Sequence, residues 1–269
     1  MTITEQTEAL NSWQGNTRCP EDLKEQWYEK LHSDGDILIR AAYVPFRNPC
    51  ALYEKLTITR AGRDIAHARC IHPVGSGPFP TIFMFHDIGR KIRGWHHMTR
   101  FVACGYAVVA LENCNTPDSV WDMNAQILEQ NYVAAYATAT AALTLPFTDK
   151  DHLVTWGEGF GGALAVFTAA MLPGAVRCAA LNPMPADFNG ECGISIEDET
   201  GTLDPVSFAS LLKGSLLIGT GLMDKVAPPK AQYAIYNRAN CPKSHLVYPK
   251  YEHERNNFFE NELLKFLHL

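Results

Sequence analysis

The amino-acid sequence predicts an α/β protein, one mostly parallel sheet with helices on both faces. Three observations predict it. From Thr81 onward, short apolar runs of strand length alternate with longer stretches of helical period, the rhythm of successive βαβ units. Ahead of them, residues 53–71 alternate in character and are rich in β-branched side chains, a hairpin pattern around Ala61-Gly62-Arg63. The predicted strands then end in turns carrying glycine, acid or histidine, where open parallel sheets place their function.

Taken in order, residues 1–50 are mixed. Within them, 20–31 form an amphipathic stretch with Leu23, Trp27 and Leu31 on one helical face. The hairpin at 53–71 is followed by a turn-rich connector of proline and glycine. Residues 81–85 read as a buried strand, 95–104 as a helix and 106–111 as a second strand. A long alanine-rich helix is predicted over 124–145. A third strand spans 152–156, and a helix dense in small residues covers 161–172. Strands at 176–181 and 215–219, a helix at 229–238, a strand at 245–248 and a closing helix at 258–267 complete the pattern. Residues 189–205 are acidic and weakly periodic, a loop or a degenerate insertion. The resulting division is an N-terminal extension, 1–52, packing on a core domain, 53–269.

Composition narrows the function classes. The chain has 269 residues, 46% hydrophobic and 19% charged, with a formal charge of −6. That excludes global disorder, and the acidic surplus argues against a nucleic-acid binder, which needs a basic face. No apolar run approaches the ~20 residues of a membrane span. The polar, acidic start lacks a signal-peptide pattern, so a cytoplasmic location is expected. The eight cysteines include no CxxC pair, which reads as reduced thiols rather than a zinc site. His96-His97 lacks the spacing of a helical metal pair. No nucleotide fingerprint or P-loop occurs, so neither cofactor nor metal is expected.

Four strand exits carry the chemistry. The strand at 81–85 exits into His86-Asp87-Ile88-Gly89. The strand at 152–156 exits into Gly157-Glu158-Gly159-Phe160-Gly161-Gly162, a strand, a sharp glycine turn and a helix. That is the frame of a nucleophile elbow, G-x-S-x-G, with Gly159 in the nucleophile's place. Glu158 stands one residue early, so its side chain should point elsewhere. The two last strands exit into Gly-Leu-Met-Asp224-Lys-Val-Ala-Pro-Pro and Pro-Lys-Tyr-Glu-His253-Glu. The chain order elbow, acid, histidine is that of the α/β-hydrolases. Asp224 would fix the tautomer of His253, and His253 would be the general base.

These motifs resemble the acetylxylan esterase / cephalosporin-C deacetylase family of carbohydrate esterases. The resemblance covers roughly residues 20–269 and is strongest at 221–254. It implies an α/β-hydrolase fold, serine-dependent deacetylation of small acetylated sugars and antibiotics, and ring-like homo-oligomers. Asp224 and His253 match the family's triad acid and base. The backbone N–H groups of Ile88 and Phe160 match its oxyanion donors. Three departures stand out. Gly159 replaces the serine. Asp87 stands where the family's oxyanion turn, His-Gly-Tyr-Gly, has glycine, as either a solvated turn residue or a blocker of oxyanion binding. The family's Arg-Gly-Gln-Gly after the second strand is replaced by Leu-Glu-Asn-Cys-Asn-Thr-Pro-Asp. The chain is also short between Phe188 and Ser215.

Losing a triad serine costs on the order of 10⁶ in turnover. Three functions follow as expectations. One is a pseudoenzyme, an esterase scaffold kept for binding, with a small acetylated carbohydrate-like ligand as its partner. Another is an active hydrolase or lyase, in which the space at Gly159 admits a water for the Asp224–His253 dyad to activate, or the dyad abstracts a proton. The last is a structural subunit. On this reading, Gly159→Ser alone would report whether the pocket and dyad are still arranged for catalysis.

Overall fold

The computed structural model describes residues 3–33, 35–90, 92–112, 116–188, 190, 194 and 196–267, the side chains of 3–7 excepted. Cys114 and Cys192, and parts of the 111–118 and 189–205 segments read above, lie outside the described residues. Nine described strands form one sheet in the order β1-β2-β3-β5-β4-β6-β7-β8-β9. Strands β1 (Ile37–Tyr43), β2 (Ala51–Arg60) and β3 (Arg63–Pro73) are an antiparallel meander. Its hairpin turns at Ala61 and Gly62, both with positive φ (48° and 76°), the geometry whose twist matches the flanking strands. Strand β3 joins β5 (Ala107–Glu112) antiparallel. From β5 through β4 (Phe79–Phe85), β6 (Thr148–Glu158), β7 (Ala175–Leu181), β8 (Ser215–Gly221) and β9 (Lys243–Tyr248), every pair is parallel.

Period-two alternation splits the strands between two cores. Ile82 and Met84 of β4 face one layer with Val108 and Ala110 of β5; Phe83 and Phe85 face the other with Val109 and Leu111. Helices α3 (Trp95–Ala103) and α8 (Asn257–Leu267) cover the first face. Helices α2 (Leu23–His32), α4 (Ala125–Ala142), α5 (Phe160–Met171), α6 (Pro205–Ala209) and α7 (Pro229–Arg238) cover the second. Helix α5 is buried along its whole length, which is why its sequence is small and apolar all round. Asn124 caps α4 by accepting the Ile127 N–H at 3.0 Å.

The chain runs from β4 to β5 on one side, then crosses back to β6 on β4's other side. That reversal opens a crevice at the carboxyl ends of β4 and β6.

The elements read from sequence are present, and the differences have local causes. Helix α1 (Ile3–Ser12), strand β1 and helix α6 carried no readable period. β1 is a mostly exposed edge, with Leu38 63% exposed, so no buried face patterns it. It lies inside the 1–52 stretch yet pairs with β2 along its full length. Strand β6 starts earlier than the apolar run, at Thr148, which pairs with Phe79 of β4; Lys150 to His152 are exposed, so no apolar pattern marks this part. β8 runs on through Gly219 and Gly221, where a Cβ would meet the Phe259 ring and the Tyr251 carbonyl respectively.

No described helix is long and apolar enough to cross a membrane. Trp27 packs edge-on to Phe167 at 4.8 Å between ring centroids, and Tyr132 stacks on the same ring at 4.2 Å. Its indole N–H donates to the Thr202 carbonyl at 2.7 Å. This cluster ties α2 to α4, α5 and α6. Trp27→Ala should therefore cost about 3–5 kcal/mol, read as a lower urea midpoint with an unchanged slope.

Candidate active site

The elbow is present in full. β6 ends at Glu158, and the chain turns at Gly159 with φ +56° and ψ −123° into α5. A side chain is strained at that φ. The flanking glycines answer a different need. A Cβ on Gly157 would strike the Gly161 carbonyl, and one on Gly161 would strike the Phe85 carbonyl. The turn doubles back against the exit of β4, and only bare backbone fits.

That exit delivers Asp87. Its Oδ1 accepts the N–H of Ile88 and the N–H of Phe160, each at 2.9 Å. These are the two groups the sequence marks as oxyanion donors. They do converge, and what they hold is the protein's own carboxylate. A Cβ built on Gly159 would land on that carboxylate too. Two expectations are corrected here. Asp87 is not a solvated turn residue, being only 5% exposed. The space left at Gly159 does not admit a water, because the Asp87 carboxylate fills it.

His253 lies between two acids. Its Nδ1 is 2.8 Å from Asp224 Oδ2 and its Nε2 is 3.0 Å from Asp87 Oδ2. Asp224 is held by the Val226 and Ala227 N–H groups, both at 2.8 Å to Oδ1, with the Gln232 amide at 3.4 Å from Oδ2. Burial alone would lower the His253 pKa. The hydrogen bonds and charges of Asp224 and Asp87 override it and raise the pKa from 6.5 to about 9. At neutral pH the ring is therefore an imidazolium donating to both carboxylates. Arg90 closes the group: its guanidinium donates to the His253 carbonyl at 2.9 Å and lies 3.6 Å from Asp87 Oδ2.

Glu158 points away from the turn, as its position predicts. Arg93 holds it with two bonds of 3.1 and 3.0 Å, and Arg255 adds a third at 3.1 Å. Arg93 also pairs with Glu260, which Arg100 holds at 2.5 Å. His86 is buried beside these cations. Burial first, then Arg93, Arg255 and Arg69, push its pKa down to about 3, so it is neutral. Arg90, Gln232 and the Arg93 network gave no sequence signal, since each acts through the third dimension. Among the described residues no cluster of His, Cys, Asp and Glu could hold a metal.

Beside Asp87 and His253 opens a pocket of about 250 Å³. Ile88, Val120, Trp121, Met184 and Val226 line it, together with the polar Arg90, Asp118 and Ser119.

The acetyl xylan esterase family model matches residues 1–200 and 194–269 of the chain. Acetyl esterase Axe7A of Xylanibacter ruminicola is 26% identical over 159 residues, which cover 53% of this chain and 36% of that protein. The chain thus spans little more than a third of that curated relative. Acetyl xylan esterase 1 from Thermoanaerobacterium sp. JW/SL YS485 superposes with a TM-score of 0.84 at 22% identity, covering 99% of this chain and 98% of its own. The acetyl xylan esterase from Paenibacillus sp. R4 gives 0.83 at 16% identity, covering 100% and 99%. Those likenesses show the α/β-hydrolase fold.

Two predictions come from the site's electrostatics. His253, with its pKa raised from 6.5 to about 9 in the folded state, contributes stability that is complete below pH 6.5 and lost as pH rises through about 9. The loss should be on the order of 3 kcal/mol, and Asp87→Asn, which leaves the Asp224 bond in place, should weaken this dependence in urea titrations across that range. Arg93→Met leaves Glu158 and Glu260 buried without their shared cation. It should lower stability by about 3–5 kcal/mol in the same assay.

Proposed function

The chain belongs to the acetyl xylan esterase family, and we propose that it is a pseudoenzyme for acyl-ester hydrolysis, its acyl site filled by its own Asp87. One observation carries this reading: a single carboxylate takes both oxyanion N–H groups and the space where a side chain on residue 159 would stand. Acyl transfer needs a nucleophile, a base with a free lone pair and open oxyanion donors, all at one point. Here the nucleophile is glycine and the donors are engaged. The base is charged near neutral pH, since its pKa lies at about 9. The residual ~10³–10⁴ that an oxyanion hole supplies without its serine is lost as well. What the scaffold retains is the pocket beside Asp87, the place for a small acetylated-carbohydrate-like ligand.

The alternative, a hydrolase or lyase driven by Asp224 and His253 alone, needs a neutral His253 with Nε2 free. The bond to Asp87 and the raised pKa weigh against it.

Acetate release from p-nitrophenyl acetate and acetylated xylo-oligosaccharides tests the reading. Wild type should release none above background. Gly159→Ser alone should stay silent, because the new side chain meets Asp87. Asp87→Gly combined with Gly159→Ser should restore release on the order of 10³-fold above wild type. Acetate release by wild type that disappears in His253→Ala would overturn the proposal.

A further inference from the structure

We propose that the chain forms a two-fold dimer in which its last strand, β9, pairs antiparallel with β9 of a second copy, so that the two sheets run on as one. This inference is independent of the acyl-ester reading, since it uses neither Asp87 nor the pocket beside it.

β9 closes one end of the sheet, and among the described residues no strand lies beyond it. The direction of its backbone groups follows from its bonds to β8. Leu216 N–H donates to the Pro242 carbonyl at 2.9 Å, and Leu222 N–H donates to the Tyr248 carbonyl at 3.0 Å. Along a strand these groups alternate from side to side, so Ser244 and Leu246 face β8 as well. Lys243, His245 and Val247 therefore turn their N–H and C=O groups to the open side.

An open edge is a template for another strand, and proteins that stay single blunt it with charge. β9 is not blunted. Its one cation, Lys243, is drawn away: Nζ donates to the carbonyls of Tyr236 and Ala239 at the end of α7, both at 2.8 Å. The His245 ring turns inward, with Nε2 2.9 Å from Thr220 Oγ1 and its centroid 4.4 Å from Tyr233 and 4.6 Å from Tyr236. Burial lowers its pKa to about 4, so it is neutral at pH 7. Ser244 is exposed, and Val247 is 37% exposed. The opposite edge of the sheet differs. β1 carries the exposed Arg40 at its middle, 3.6 Å from Asp64. Two copies of β1 paired about that residue would set one guanidinium against the other.

A second copy fits β9 in register. Antiparallel strands exchange bonds between opposite residues whose groups both face the gap. A two-fold axis at His245 meets that condition. His245 then lies opposite itself, Lys243 of one copy opposite Val247 of the other, and Ser244 opposite Leu246. No like charges meet, because the histidines at the axis are neutral and each lysine faces a valine. The lysine stem covers the exposed Val247 side chain while its ammonium stays on α7. This self-complementarity selects a second copy as the occupant. β9 also leads into the turn that carries His253, so the pairing fixes the strand that delivers that histidine.

The test is sedimentation equilibrium on the full chain, joined to amide hydrogen exchange. Wild type should sediment as a dimer, with the amides of Lys243, His245 and Val247 exchanging far more slowly than those of an open edge. That pattern depends on no variant folding. Val247→Lys sets two cations face to face on both sides of the axis and should weaken the dimer about tenfold. Leu38→Lys, on the β1 edge, should leave it intact. A larger ring with the same three amides protected also upholds the β9 pairing. Monomeric wild type overturns the proposal. So does an assembly in which those amides exchange freely, or one that Val247→Lys leaves as tight as before. Acetate release bears on the acyl-ester reading alone, so the two can fail separately.

Discussion

The bond between Asp87 and the two N–H groups of Ile88 and Phe160 is the constraint on which the rest of the site depends. A carboxylate in a nearly dry crevice needs charge and hydrogen bonds around it. One oxygen takes the backbone donors. The other takes His253, which can donate to Asp87 and to Asp224 at once only as an imidazolium. Arg90 ties the histidine's own backbone to the same carboxylate region. Two acids, one imidazolium and one guanidinium thus form a closed set. Removing any member leaves a buried charge short of a partner.

The fold brings this set together through its strand order. Because β4 lies between β5 and β6, its exit and the elbow after β6 emerge side by side. The glycines at 157 and 161 let the two turns pack backbone to backbone. Asp224 and His253 arrive from β8 and β9, two and three strands beyond β6. Glu158, at the end of β6, is held by the Arg93 guanidinium through two hydrogen bonds. The elbow keeps its left-handed φ at Gly159 without a nucleophile to present.

Much of this was legible in the sequence, for identifiable reasons. Buried strands and α5 announce themselves because both faces are apolar. The elbow is readable because its glycines are demanded by close backbone approach. Asp224 and His253 are readable because each follows its own strand. What could not be read is the meeting of distant side chains. Asp87 reads either as a solvated turn residue or as a blocker of oxyanion binding, and nothing local says that its carboxylate reaches the N–H of Phe160. Arg90 and Gln232 touch their partners only in the folded chain. β1 is invisible for the opposite reason, since an exposed edge strand has no buried face to impose a pattern.

The departures at 87 and 159 are structurally one. A side chain on 159 would occupy the Asp87 carboxylate, so a serine cannot stand there while Asp87 holds its position. The energetics favour the carboxylate strongly over a visiting ester. Hydrogen bonds to a charged group contribute about 1.5–3 kcal/mol each, against about 0.5–1.5 for neutral ones. An ester carbonyl entering the hole would exchange two of the first kind for two of the second. It would also strand Asp87 without its donors, a further cost of about 1–3 kcal/mol or more. On the proposed reading, an acyl substrate thus competes with the chain's own Asp87 for the two donors, beside the missing serine.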